Sequence, residues 1–237
     1  MEKDATTALE PFEELLSQEH RLLSTTSREE AVAAAADAIW PMAVEFRSSK
    51  GAFQYDLGGR NTAGLDVSVF HYEAHGGYVS RLEPVEDAYI FEAALKGSAT
   101  VRTAGRTFSV CEGTAVLASP GEPITWEDSG APYAGVSIRI PARVVETTAS
   151  ALTGADPVGS LTFAPRIVTT TRHGRELNRL IAGLIDAASA PDSLLDHPVA
   201  AAQFQDLLAV CLLTGFEHGE SAGLRAVAAN SGRAAVE

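Results

Sequence analysis

Between Pro41 and Pro141 the chain never holds one periodicity for long, and this constrains its fold more than any other feature. Runs rich in β-branched, aromatic and small apolar residues are cut at intervals of roughly 8 to 12 residues by Gly, Asp, Glu and Pro. The runs are Val67–Tyr72, Tyr78–Leu82, Ala88–Lys96, Ala99–Thr103, Arg106–Cys111, Thr114–Ala118, Ile124–Trp126 and Tyr133–Ile140. No helical stretch separates them, so the pattern argues against alternating βαβ units and predicts a sandwich or barrel of roughly eight short strands. Thr103-Ala104-Gly105-Arg106 reads as a tight hairpin turn, with Gly105 free to take positive φ.

On either side the spacing turns helical. Phe12, Leu15, Leu16, Glu19, Leu22 and Leu23 predict a first helix with Pro11 in its first turn. Ser27-Arg28-Glu29-Glu30 is a capping-box pattern opening an Ala-rich second helix that runs to Ile39 and is ended by Pro41. After Pro141 a short helix is predicted to Leu152. Leu177, Leu180, Ile181, Leu184, Ile185 and Ala188 then form an amphipathic stripe. A break at Ala190-Pro191-Asp192-Ser193 precedes another helix, opened by Asp196-His197-Pro198 and carrying Phe204, Leu207, Leu208, Cys211 and Leu212 on one side. The expected class is α+β, mostly β: N-terminal helices (1–40), a β-barrel (41–141), an antiparallel helical hairpin (142–216) and a flexible Gly-, Ala-, Ser- and Asn-rich tail (217–237).

Composition removes several functions. With 18 Lys and Arg against 31 Asp and Glu, the formal charge of −13 leaves no basic stripe to neutralise phosphates, so this chain alone is not expected to contact DNA. Cys111 and Cys211 lie far apart with no metal-binding spacing around them, which suits two buried thiols in a reducing compartment. The Ala-rich apolar run from Ala31 is broken at Asp37, and Met1-Glu2-Lys3-Asp4 is no secretory signal. A cytoplasmic protein without membrane contact is expected.

Candidate chemistry is sparse. His71 and His75, read on one strand, would lie about 13 Å apart, too far to share an ion without a bend near Gly76-Gly77. His20, between Glu19 and Arg21, reads as a solvated helix residue. There is no Gly-x-Ser-x-Gly elbow, phosphate loop or dinucleotide fingerprint, and neither cysteine has a histidine recognisably near it. No metal, cofactor or catalytic residue is therefore assigned. Aromatic residues are more telling: Tyr55, Phe70, Tyr72, Tyr78, Tyr89, Phe91, Trp126 and Tyr133 all fall in the β region, where they either fill a core or line a pocket. Arg81 and Arg139 read as counter-ions for an anion or as outward surface residues. The candidate ligand-binding set is Tyr55, His71, Tyr78, Arg81, Tyr89, Phe91 and Trp126, with Tyr89, Phe91 and Trp126 expected around an apolar pocket. Leu177, Leu180, Leu184, Phe204, Leu207 and Leu208 exceed what one helix face needs against a barrel, so a homodimer through the hairpin is predicted.

Val85-Glu86-Asp87-Ala88-Tyr89-Ile90-Phe91 followed by Leu95-Lys96-Gly97 resembles the first barrel hairpin of the sensor domain of AraC/XylS regulators. Gly113-Thr114-Ala115-Val116-Leu117 and Ser119-Pro120-Gly121-Glu122-Pro123 resemble its cupin-type turn, and Ser137-Ile138-Arg139-Ile140-Pro141 its strand-to-helix junction. The resemblance runs from about Leu9 to Phe216. It implies a cupin-like barrel (double-stranded β-helix, jelly-roll) that senses a small effector, an aromatic acid or a sugar, and dimerises. Metal-binding cupins carry His after the Pro-Gly turn where this chain has Ile124, so the resemblance implies a metal-free barrel. The family's basic helix-turn-helix unit has no counterpart here. A cupin enzyme, isomerase or dioxygenase, is the alternative; a third is a DNA-free partner that titrates a full-length regulator in mixed dimers.

Overall fold

The computed structural model describes residues 10–17, 19–62, 64–155, 160–219 and 221. After a short helix α1 (Glu10–Leu15) come β1 (Arg21–Thr25) and helix α2 (Arg28–Ala38). Ten strands follow: β2 (Met42–Phe46), β3 (Phe53–Thr62), β4 (Leu65–Ala74), β5 (Tyr78–Leu82), β6 (Ala88–Lys96), β7 (Ser98–Thr103), β8 (Arg106–Cys111), β9 (Thr114–Ala118), β10 (Ile124–Asp128) and β11 (Tyr133–Pro141). Helix α3 (Ala142–Thr153), strand β12 (Arg166–Val168), helix α4 (Arg172–Ser189), a single 3₁₀ turn (Leu194–Asp196) and helix α5 (Pro198–Gly215) complete the order.

All pairings are antiparallel. They build a seven-stranded sheet, β1-β3-β4-β11-β6-β9-β12, and a five-stranded sheet, β2-β5-β10-β7-β8. The two sheets enclose a shared apolar interior, and this is a cupin-like jelly-roll. Leu57, Phe70, Tyr72, Ile90 and Tyr133 meet Leu82, Val101, Ile124 and Trp126 there. The other face of the large sheet carries Val67, Val69, Tyr89, Phe91, Leu117, Val136 and Ile138, and packs under α1, α3, α4 and α5 in a second core.

Local signals explain most boundaries. Ser27 caps α2, accepting from the Glu30 N–H at 3.3 Å. Ala104 and Gly105 both have positive φ (48° and 70°), the geometry of the two-residue β7–β8 hairpin. His197 caps α5 through Nδ1, with Pro198 in its first turn. The first helix differs from expectation. It stops at Leu15, where Arg21 donates to the Leu16 carbonyl from Nε and Nη2 (3.1 and 3.0 Å), and Arg21–Thr25 pairs with β3 as a strand. A few leucines at helical spacing yield to the unpaired β3 edge, which offers a ladder of backbone hydrogen bonds. Strands β2, β3 and β12 were likewise not anticipated. Of the tail expected from 217, the described residues 217–219 are anchored: Ala164 donates to the Glu217 carbonyl at 2.9 Å and Phe163 bridges to His218. The remainder falls outside the described residues apart from Ser221.

The hairpin supplies the outer core rather than a free surface. Leu177, Leu184 and Leu208 are at most 1% exposed, so these three predicted dimerisation residues are consumed within the protomer. Leu180 and Phe204 are partly buried against the same core, and Leu207 is 52% exposed. The correction is geometric: a helix lying in the angle between a sheet and another helix buries a wider stripe than one lying on a flat surface. Helix α5 also has the length and, at 1.3, the mean hydropathy of a membrane span, although its longest unbroken apolar run is only Leu207–Leu213. Ala201, Leu208, Ala209, Leu212 and Leu213 on it are buried in the protein core.

Helix α4 has no basic residue in its last turn, so its terminal carbonyls are satisfied from elsewhere. Arg60 of β3 donates from Nη1 to the carbonyls of Ala188 (3.0 Å) and Ala190 (2.9 Å), and its other nitrogens grip Asp196 (3.2 and 2.6 Å). His20, expected in solvent, instead bonds the Ser189 carbonyl through Nε2 at 2.7 Å. Replacing Arg60 with Ala removes four charge-assisted hydrogen bonds between barrel and hairpin. Urea unfolding should show a loss of about 2 kcal/mol, more than an exposed ion pair contributes.

Candidate functional site

The barrel interior is walled by stacked rings. Phe70 and Tyr72 project inward from β4 with parallel rings 6.3 Å apart, and Tyr133 of β11 stacks on Tyr72 at 5.2 Å. Trp126 of β10 meets Tyr133 edge-on at 5.6 Å, and Tyr78 of β5 meets Tyr72 at 5.4 Å. The stack requires Gly135: a Cβ there would stand 2.8 Å from a ring carbon of Phe70 and 2.9 Å from one of Tyr133. Beside it the β11–β6 register shifts, Ala134 standing opposite Lys96 and Gly135 opposite Ala94, so Leu95 of β6 is the extra residue of a bulge, while alternation along β11 puts Tyr133 in the barrel and Ala134 in the outer core.

Beside these rings lies a cavity of about 60 Å³, bounded by Ala35 of α2, by Ile39 just after that helix and by side chains including Tyr55, Ser80, Glu92 and Trp126. A second, of about 50 Å³, adjoins it through shared Ala35, Met42, Tyr55, Tyr72 and Tyr78, and reaches Phe46 and Phe53. The small side chains of α2 leave this room. Helix α2 closes the barrel, tied by the Ser68 hydroxyl donating to the Ala38 carbonyl (3.1 Å) and by the Trp40 indole donating to the Glu83 carbonyl.

Polar groups inside are few and incompletely paired. Asp128 accepts from the Tyr72 hydroxyl at 3.1 Å and from the Gly130 N–H at 2.6 Å; burial nonetheless raises its pKa. Tyr72, Tyr78 and Tyr133 are driven well above the usual phenol range, chiefly by burial. Glu92, 6% exposed, forms no hydrogen bond or ion pair among the described residues, and burial pushes its pKa up to about 8. The hydroxyls of Tyr55 and Ser80 on the same wall are buried without a partner, as is that of Tyr133. Unpaired buried polar groups cost free energy, and their concentration around one cavity marks a place where a bound molecule would satisfy them.

Of the predicted ligand-binding set, Tyr55, Tyr78 and Trp126 line this cavity. Tyr89 and Phe91 do not: both face the helices, and the Tyr89 hydroxyl donates to the Leu161 carbonyl at 2.7 Å. His71 lies on the outer side of β4, 3.7 Å from Asp56, and Arg81 is exposed on β5 beside Glu45. Arg139 pairs with Asp87 at 2.6 Å. Strand β6 is buried on both faces, so nothing polar distinguishes inward from outward except Glu92, and it shares its face with Ala88, Ile90 and Ala94. That lone acid in an apolar run was the available signal. Phe70, Tyr72, Ser80 and the α2 residues carry none that separates lining from core.

The cupin architecture implies a metal, and the barrel residues do not fit one. Ile124, which follows the Pro-Gly turn, is buried and offers no ligand atom, and no group of three His, Cys, Asp or Glu suited to an ion occurs among the described residues.

The chain belongs to the AraC-binding-like domain family, whose model matches residues 31–213. Among solved structures it is similar to the AraC-like transcriptional activator CuxR, with 14% identity over 81% of this chain and 69% of that one, and a TM-score of 0.56. The Cupin_2 domain of an XRE family transcriptional regulator from Enterobacter cloacae matches at 15% identity over 41% and 94%, TM-score 0.30. The cupin domain of Schizosaccharomyces pombe Cnp3 matches at 10% over 44% and 74%, TM-score 0.33. Comparison with curated proteins yields no match.

The Glu92 carboxyl ionises near 4.5 when unfolded and near 8 when folded, so it holds a proton in the native protein that the unfolded chain has released. Stability from this group is therefore greatest below about pH 4.5 and is lost as pH rises to 8. Glu92→Gln removes that dependence. Its advantage over the parent in urea unfolding should grow between pH 5 and 8 by about 1.4 kcal/mol per pH unit, and level off above.

Proposed function

We propose that this protein is the effector-sensing and dimerisation domain of an AraC/XylS-type transcriptional regulator acting in the cytoplasm without catalysis. The observation that carries the reading is the cavity under α2 between the two sheets, whose wall holds the unpaired Tyr55, Ser80 and Glu92 groups inside an AraC-binding-like domain. A ligand there touches both the lid helix and the sheet that carries the hairpin. Strand β3 links the two directly, with Tyr55 on the cavity and Arg60 on the end of α4. A molecule that binds one arrangement of lid and hairpin more tightly than another shifts the population between them by that difference in affinity.

The homodimer is assigned to the outer side of α5, where Leu207 and Val199 are exposed (52% and 64%) beside partly buried Phe204 and Val210. A self-complementary two-fold contact would cover them. The charge of −13 supports assigning promoter contact to other parts of such a regulator.

Filling the cavity tests sensing. Ala35→Leu should abolish the thermal stabilisation that a binding small molecule confers on the parent while leaving the fold intact, since ligand stabilisation follows RT ln(1 + [L]/Kd). Stabilisation that persists unchanged in the filled variant would place the ligand elsewhere and overturn the reading. For the dimer, light scattering at micromolar concentration should give twice the chain mass, and Leu207→Glu should give the monomer. A monomeric parent refutes this assignment.

A further inference from the structure

The cavity discriminates among ligand chemistries. No Lys, Arg or His lines it, so a carboxylate or phosphate entering it would meet Glu92 with nothing to balance its charge. A sugar presents a hydroxyl on nearly every carbon, whereas the side chains on this wall that make no hydrogen bond among the described residues are Glu92, Tyr55, Ser80 and, as a single N–H donor, Trp126, and most of the lining is aromatic or aliphatic surface. What the wall does offer is aromatic surface: Phe70, Tyr72, Tyr78 and Trp126 bound the same space. Ring faces carry the negative side of the aromatic quadrupole and attract cations. The barrel already uses this attraction once: the Arg28 guanidinium of α2 sits 5.3 and 5.1 Å from the ring centres of Phe46 and Phe53, which border only the second cavity. Around the first cavity the rings have no cation, and the one carboxyl has no partner among the described residues.

Taking the effector-sensing reading as its basis, we propose that the ligand is a small protonated amine, its ammonium at Glu92, Tyr55 and Ser80 and its apolar body against the aromatic wall. A primary ammonium has three N–H donors, and these three side chains present three oxygen sites that the fold leaves unused. Volume limits the body to a few carbon atoms, because about 60 Å³ corresponds to room for only a few waters.

The amine sets a proton balance that other ligands do not share. The groups facing Glu92 are the phenols of Tyr55, Tyr78 and Tyr133, with Ser137 and Val116 beside it on β11 and β9. None of them is cationic, so free Glu92 is largely protonated at pH 7 and must ionise to pair with the ammonium. Binding therefore releases one proton from Glu92 to solvent. Affinity rises about tenfold per pH unit between pH 6 and 8 and flattens above, until the amine itself deprotonates near pH 10. A neutral polyol bonded to the protonated carboxyl would bind level across that range and weaken above pH 8.

Isothermal titration calorimetry of the whole chain decides this, using methylammonium to butylammonium chlorides beside the matching alcohols, carboxylates and small sugars. Measurements at pH 6, 7 and 8 in buffers of different ionisation enthalpy count the released proton. The expected result is binding of one or more alkylammonium ions with proton release near one at pH 7. Glu92→Gln should weaken it about thirtyfold or more, because an unpaired ammonium is left buried. Ser80→Ala, which keeps the charge, should weaken it only a few-fold. Alcohol, sugar or carboxylate binding that Ala35→Leu abolishes, with no amine binding, would overturn the amine assignment and leave the sensing reading intact. Amine binding that ignores pH and survives Glu92→Gln would also overturn it. If no compound of any class binds, the sensing reading fails with it.

Discussion

The structure depends on one constraint: the seven-stranded sheet is apolar on both faces and must be covered twice. Strand β6 shows it most clearly, with Ile90 and Ala94 in the barrel while Tyr89, Phe91 and Ala93 lie under helices. A one-sided sheet would need only the five-stranded partner. Here α1, α3, α4 and α5 are obligatory parts of the same folding unit, because without them the outer row from Val67 to Ile138 would face water. The hairpin is thus first a structural cover. Only what remains on its far side is free for another role.

Double coverage also lets single strands touch both compartments. Alternate residues of each strand report to different compartments, so Tyr55 and Arg60 of one strand touch the cavity and the end of α4. The Arg60 clasp binds two α4 carbonyls and the Asp196 carboxylate together, joining elements distant in sequence at the point where helix direction reverses. Packed layers with discrete contacts of this kind move between alternatives rather than deforming continuously.

The interior follows a different economy. Aromatic stacking fills most of it, and Gly135 is the position that makes the stack fit. Around the residual space, burial keeps the Glu92 carboxyl protonated into the neutral range, and Asp128 is held by Tyr72 and a turn N–H. A fully packed apolar core would be more stable than one with an orphaned acid and two orphaned hydroxyls on a cavity wall. Sites of ligand recognition are where such departures from optimal packing concentrate.

Local chemistry alone determined a good part of this protein. Ser27 capping α2, the Ala104-Gly105 hairpin, Pro198 opening α5 and most strands from Tyr78 to Pro141 follow from propensity and punctuation, which act over a few residues and are written in them. Three of the seven proposed lining residues, Tyr55, Tyr78 and Trp126, were also legible, as large rings with polar tips in a β region. Tertiary structure decided the rest. Whether Leu22 and Leu23 belong to a helix or a strand depended on an open edge of β3, and whether Tyr89 faces cavity or helix depended on strand β6 being covered on both sides. Leu177, Leu184 and Leu208 look the same in sequence whether they meet their own sheet or a second chain. Periodicity records that a face is apolar; what it is buried against depends on partners far along the chain, and only the folded arrangement supplies them.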